Sequence, residues 1–171
     1  MTTYEVTWER YHSLTEELAG KIHHSGWSFE AIICLARGGL RVGDALARIF
    51  DRPLGVLFTS SYRGDGGRTQ AELTIGEHLS SAEPLPGAAW LLVDDLVDSG
   101  DTLAQCVPEL RRRFPYLESL RTAVLWQKGC STFSPDYVAE HLPDSPWIVQ
   151  PFARWDRVAP EDLARPAKPL P

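Results

Sequence analysis

The stretch at residues 91–102, LLVDDLVDSGDT, places three aspartates within five positions at the end of an apolar run and follows them with Ser-Gly-Asp-Thr. If the run is a strand and a helix starts near Thr102, the turn between them offers the first N–H groups of that helix, which have no intrahelical partner. Such a turn is an anion cradle. The helix dipole favours negative charge, Gly100 lets the backbone approach closely, and Ser99 and Thr102 add hydroxyl donors. Asp94 and Asp95, side by side at the strand tip, repel a phosphate unless ribose hydroxyls or a magnesium ion stand between. The pattern therefore suggests a sugar phosphate, its phosphate in the turn at 98–102 and its diol against the two carboxylates. The plainer alternative is that Asp98 and Ser99 only cap a helix and the remaining aspartates are solvated.

Elements must hold this turn in place. Trp8, Tyr11, Leu14, Leu18 and Ile22 recur at helical spacing after Thr7, which predicts an N-capped amphipathic helix over 8–24 closed near Gly26. AIICLA at 31–36 is short, continuous and partly β-branched, the pattern of a strand covered on both faces, and it runs through Arg37-Gly38-Gly39 into a second helix ending at Phe50. Further strands are expected at GVLFT (55–59), AAWLLV (88–93, ending at Val93) and TAVLW (122–126), with short edge pieces at YVAEHL and WIVQPF. A helix from about Thr102 to Phe114 contains Pro108, for which a kink or early break is expected. Residues 60–72 have no apolar periodicity and read as a mobile loop; the proline-rich end from Arg157 reads as surface-wrapping or disordered. Alternating strands and helices predict an α/β fold with a mostly parallel twisted sheet and helices on both faces, ligands lying at the carboxyl ends of the strands.

Composition narrows the function classes. The 171 residues suit a single domain, with 43% hydrophobic residues for its core. Acids outnumber Lys and Arg 23 to 17 and the bases are scattered except at Arg111–Arg113, so no footprint for duplex DNA is visible. Those three arginines suit the last turn of a helix and receive no functional role. Cys34, Cys106 and Cys130 lack the spacing of a disulfide framework or a structural zinc site. His23 and His24, adjacent on a helix, cannot share a metal on one face. No apolar run approaches the roughly 20 residues of a membrane span, and a cytoplasmic location is expected.

LLVDDLVDSGDT resembles the signature of the type I phosphoribosyltransferases, a strand ending in two acids followed by a D-[ST]-G-x-T phosphate turn. VTW at 6–8, ARGGL at 36–40, SSY at 60–62, Lys128 after a strand, DYV at 136–138 and PWIVQPF at 146–152 are similar, in order, to landmarks of the bacterial xanthine-guanine phosphoribosyltransferases. The resemblance implies Mg2+-dependent transfer of ribose 5-phosphate from phosphoribosyl pyrophosphate to a 6-oxopurine (guanine, xanthine or hypoxanthine) in purine salvage; exposed edge pieces and modest size lead to the expectation of a homo-oligomer. It implies that Arg37 and Gly38 belong to the pyrophosphate loop and that Asp94 and Asp95 hold the ribose diol, with Asp95 the magnesium contact. It assigns Asp98, Ser99, Gly100, Asp101 and Thr102 to the 5-phosphate turn, Asp98 being also a candidate general base near purine N7. It gives Lys128 to the 6-oxo group, Trp147 to stacking and the Ile148 backbone to the 2-substituent. Because water would trap the sugar cation, a lid is required, and the loop with Ser61, Tyr62, Arg63 and Arg68 is its candidate.

The same resemblance divides the chain into a core at about 4–126, a small C-terminal hood at about 127–158 and a tail at 159–171. Transfer to another base or amine is the nearest rival; a sensor of phosphoribosyl pyrophosphate that binds nucleic acid ranks lower, the bases being sparse.

Overall fold

The computed structural model describes residues 2–61 and 73–164. Six strands form the main sheet in the order β4-β3-β2-β5-β6-β7. These are β2 (Ala31–Ala36), β3 (Leu54–Ser61), β4 (Leu73–Ser81), β5 (Ala89–Val97), β6 (Ser119–Lys128) and β7 (Tyr137–Leu142). All neighbours are parallel except β4, which runs antiparallel to β3 at the edge. A separate parallel pair joins β1 (Thr3–Glu5) to β8 (Trp147–Val149).

Helices cover both faces because the central strands are apolar on both. Ile32, Leu91 and Val93 point into a core with α1 (Trp8–His24) and α2 (Leu40–Phe50), while Ile33, Leu35 and Leu92 meet α3 (Asp101–Arg113) on the other side. The Thr7 side chain accepts the Arg10 N–H at the start of α1, as its sequence predicts.

Four expectations change. β5 does not stop at Val93 but continues to Val97. It loses β2 after the Cys34–Val93 pair yet stays hydrogen-bonded to β6 as far as Val97–Gln127, so Asp94 and Asp95 stand where one side of a paired strand opens. Pro108 does not break α3. Pro108 and Ala104, whose carbonyl it leaves free, are exposed, so water can take that carbonyl while buried Cys106 and Leu110 anchor the helix. The strands β4 and β1 were not foreseen; β4 is a half-exposed edge interrupted by Gly76, and its partner β3 has a register shift between Leu57 and Thr59, so the clean alternation of a strand is lost. Finally, the expected mobile loop begins inside β3: Ser60 and Ser61 pair with Thr74 and Leu73. Tyr62, Arg63 and Arg68 lie outside the described residues.

The chain order places the crevice. From β2 the connection through α2 moves to β3 on one side, and from β5 the connection through α3 moves to β6 on the other. Neighbouring strands whose connections diverge leave a gap at their carboxyl ends, where a ligand can enter between the loops.

Candidate active site

Two turns meet at that gap. After β2 the chain passes through a cis Ala36–Arg37 peptide and Gly38-Gly39 into α2. The glycines are required by proximity: a Cβ on Gly39 would sit 2.6 Å from the Val93 carbonyl oxygen, and one on Gly38 would sit 2.5 Å from Asp95 Oδ1. The Arg37 turn is thus packed directly on the paired carboxylates.

Asp94 is half-buried and Asp95 is buried. Asp94 Oδ1 accepts the Asp95 N–H (2.9 Å), Asp95 Oδ1 accepts the Leu96 N–H (2.8 Å), and Asp95 Oδ2 accepts from the Gln150 amide. Burial pushes both carboxyls above the ordinary aspartate range. At Asp94 the neighbouring Asp95 charge adds to that rise, whereas at Asp95 the Gln150 hydrogen bond opposes it. Two desolvated carboxyls in contact form a place where a cation or hydroxyl donors are wanted. Among the described residues no group of three or more His, Cys, Asp and Glu could hold a metal. A pair of carboxylate oxygens fits Mg2+, an ion that keeps waters and takes substrate phosphate oxygens for its remaining positions.

The second turn follows β5. Gly100, at φ +100°, is the residue before α3 and brings no side-chain cap to the helix. Of the capping alternative only a long contact at Ser99 is present: Ser99 Oγ accepts the Asp101 N–H at 3.4 Å. Ser99 Oγ also donates to Asp101 Oδ2 (2.8 Å), and the Ser99 carbonyl accepts the Thr132 N–H (2.9 Å) and hydroxyl (3.1 Å), tying the turn to the segment after β6. A Cβ on Gly100 would lie 2.6 Å from Phe133 Cβ, so both the torsion and the space demand glycine.

The third component comes from the far end of β6 and from β8. Lys128 is buried, and its Nζ lies 3.1 Å from Asp98 Oδ2. Cys130 also reaches Asp98, its thiol donating to Oδ1 at 3.4 Å. Trp147 is 45% exposed despite its size, so it is not a core residue in this structure.

Asp94, Asp98, Ser99, Gly100, Thr102, Lys128, Trp147 and Ile148 line one cavity of about 310 Å³. Residues far apart in the chain are thereby brought together. Arg37 and Gly38 line an adjoining cavity, and Asp95 and Asp101 line neither. Gln150, Cys130 and Phe133 escaped the sequence reading. Gln150 had one signal, a polar residue inside the otherwise apolar WIVQPF run; the other two act through contacts that spacing does not reveal.

Residues 7–156 match the family model described as a phosphoribosyl transferase domain. The xanthine-guanine phosphoribosyltransferase of Vibrio parahaemolyticus is 32% identical over 152 residues, covering 88% of this chain and 87% of that protein. The enzyme of the same name from Nitratidesulfovibrio vulgaris is 30% identical, covering 90% of this chain and 84% of that one. Among solved structures, the xanthine-guanine-hypoxanthine phosphoribosyltransferase of Helicobacter pylori superposes with a TM-score of 0.72 at 26% identity, over 90% of this chain and 95% of its own. With a strand-turn-helix after a carboxylate pair at the switch point and a domain match over most of its length, this chain belongs to the phosphoribosyltransferase family.

Proposed function

We propose that the protein transfers the 5-phosphoribosyl group from phosphoribosyl pyrophosphate to a 6-oxopurine, releasing pyrophosphate and the nucleoside monophosphate of a salvage reaction. The observation that carries this reading is the single cavity lined together by Asp94, Asp98, Ser99, Gly100, Thr102, Lys128 and Trp147. One end suits a sugar phosphate and the other a flat base with an oxo group.

In this reading the N–H groups at the start of α3 and the Thr102 hydroxyl hold the 5-phosphate, with Ser99, Gly100 and Asp101 shaping the turn. Asp94 and Asp95 take the ribose hydroxyls. A Mg2+ ion, when bound, would screen the diphosphate and stabilise the charge it gains on leaving. Asp95 is the proposed metal contact, although the Gln150 amide occupies its Oδ2 and Asp94 is the carboxylate that faces the cavity. Magnesium titration of Asp94→Asn and Asp95→Asn separates the two. Trp147 stacks on the purine, the Ile148 backbone reads the 2-substituent, and Lys128 donates to the 6-oxo oxygen.

The purine nitrogen forms the bond to C1 of the sugar as the bond from C1 to the diphosphate oxygen breaks. Its electron pair leaves on pyrophosphate, beside Arg37. Asp98 is the proposed acceptor of the proton that the purine loses. The Lys128–Asp98 ion pair aims both groups before the base arrives. Residues 127–158 act as the hood that carries the base contacts, the remaining core holding the donor. Ser61, at the end of β3, with Tyr62, Arg63 and Arg68, is the proposed lid. The protein acts as a homo-oligomer in the cytoplasm; among the described residues no helix is long and apolar enough to cross a membrane.

Incubation with phosphoribosyl pyrophosphate, Mg2+ and guanine, xanthine or hypoxanthine should release pyrophosphate. Absence of turnover with all three overturns the reading, and turnover with adenine, uracil or orotate alone would move it to another acceptor.

A further inference from the structure

A second cavity, about 550 Å³, adjoins the carboxylate pair through Gly38. Two guanidiniums line it: Arg37, from the turn after β2, and Arg41, from the first turn of α2. Arg41 lies over the face of Phe152, its Cζ 3.7 Å from the ring centroid, with Trp155 at 6.0 Å. Among the described residues neither arginine forms an ion pair; Asp44, the acid nearest Arg41 along α2, is taken by Arg48 at 3.0 Å. One carboxylate, Asp156, also lines the cavity and opposes an anion there.

A guanidinium stacked on a ring keeps its N–H donors free along its edge, because the ring takes only the flat face. The stack also holds the side chain in place, so less rotamer freedom is lost when an anion arrives. Two unpaired guanidiniums at one cavity outweigh one carboxylate. In a chain of net charge -6 this is a local inversion of sign. Among the described residues Arg37 is the cation that the sequence assigns to the leaving group, and nothing in the spacing of the sequence singles out Arg41.

We propose that Arg41, seated on Phe152, is a second guanidinium for the diphosphate end of the phosphoribosyl donor, acting with Arg37 across this cavity. The inference rests on the phosphoribosyl-transfer reading above. Arg41 touches the diphosphate; Phe152 is a positioning residue that acts through Arg41. Both charges line a different cavity from the one that holds Lys128 and Trp147, and would meet the negative charge that accumulates on the diphosphate as the bond at C1 breaks.

Inorganic pyrophosphate with Mg2+ is titrated calorimetrically into the full chain, wild type and the variants Arg41→Gln, Arg41→Lys, Phe152→Leu and Arg41→Gln/Phe152→Leu. Donor and guanine KM values are measured on the same preparations. Arg41→Gln should weaken pyrophosphate binding and raise the donor KM by roughly tenfold, with the guanine KM within about twofold. Arg41→Lys should fall between, and Phe152→Leu should weaken binding alone but add nothing in the Arg41→Gln background. Wild-type pyrophosphate affinity in Arg41→Gln, or equal rises in the donor and guanine KM, overturns the role of Arg41. A wild-type protein that turns over no purine overturns the reading beneath it instead.

Discussion

Lys128 and Asp98 show how much one ion pair can organise. Lys128 is 8% exposed and Asp98 51%, so the pair has one end inside the protein and one at the cavity. In the proposed reaction, removing the lysine takes a charge-assisted donor from the base, and it leaves Asp98 without its ion-pair partner. Lys128→Ala should raise the purine KM about 10- to 100-fold while the donor KM changes about threefold or less, measured by steady-state kinetics. Asp94 carries a pH prediction. Its folded carboxyl holds its proton to higher pH than an unfolded aspartate does. Between the unfolded value of about 4 and that raised value the folded state binds more protons, so the stabilising contribution is full below this window and is lost as pH rises through the folded value. Melting curves of the protein without ligand should therefore show Asp94→Asn more stable than wild type at pH 7, with the difference vanishing near pH 4. A wild type that gains on the variant as pH rises would contradict this.

The elements that carry these residues are held by close approaches as well as by hydrophobic burial. α2 descends from the Arg37 turn and lies against β2 through Gly43, where a Cβ would come 2.5 Å from Cys34 Cβ. Both atoms sit in a packed interior, so the helix must shift to admit a methyl group. Gly43→Ala should cost about 1–3 kcal/mol in urea unfolding, and because α2 carries Arg41 and follows Arg37 it should also raise the donor KM. Gly100→Ala combines a positive φ with the Phe133 contact, and a loss of about 2–3 kcal/mol is expected from thermal melts. The helix in front of it is bound at its other end. Arg113 pairs with Glu109 (2.6 Å) and donates to the Gly76 carbonyl (2.6 Å), pinning α3 to the edge strand β4. Arg113, in the basic C-terminal turn of α3, thus has a structural role.

Across the whole molecule, the two ends of the chain close the site. β1 pairs with β8, and Trp8 at the start of α1 meets Phe152 and Trp155 at ring separations of 6.1 and 6.4 Å. Tyr11 meets Phe152 edge-on at 6.1 Å. The aromatic contacts fasten the segment that supplies Trp147, Ile148 and Gln150 to the body that supplies the aspartates. Trp8→Ala should lower the melting temperature by about 2–6 °C, since about 1–2 kcal/mol of aromatic contact is lost from a domain of this size. It should also raise the purine KM through the loosened Trp147 strand, with a smaller effect on the donor. Equal effects on both substrates would show that the closure serves stability alone.

The α/β architecture, the order of the central elements and the strand-turn-helix at Asp94–Thr102 were legible in the sequence because each depends on local periodicity and on residues close in the chain. The buried strands β2 and β5, the capped helix α1 and the glycine turn before α3 are of this kind. What tertiary structure decided was every relation that crosses the sheet. Only the register of β5 against β2 and β6 shows that Asp94 and Asp95 belong to a strand open on one side rather than to its tip. Only packing brings Lys128 onto Asp98, Gln150 onto Asp95 and Arg41 onto Phe152. Edge strand β4 stayed hidden for the converse reason: its half-exposed faces and interrupted alternation leave little hydrophobic signal, and its backbone is organised chiefly by its partner β3.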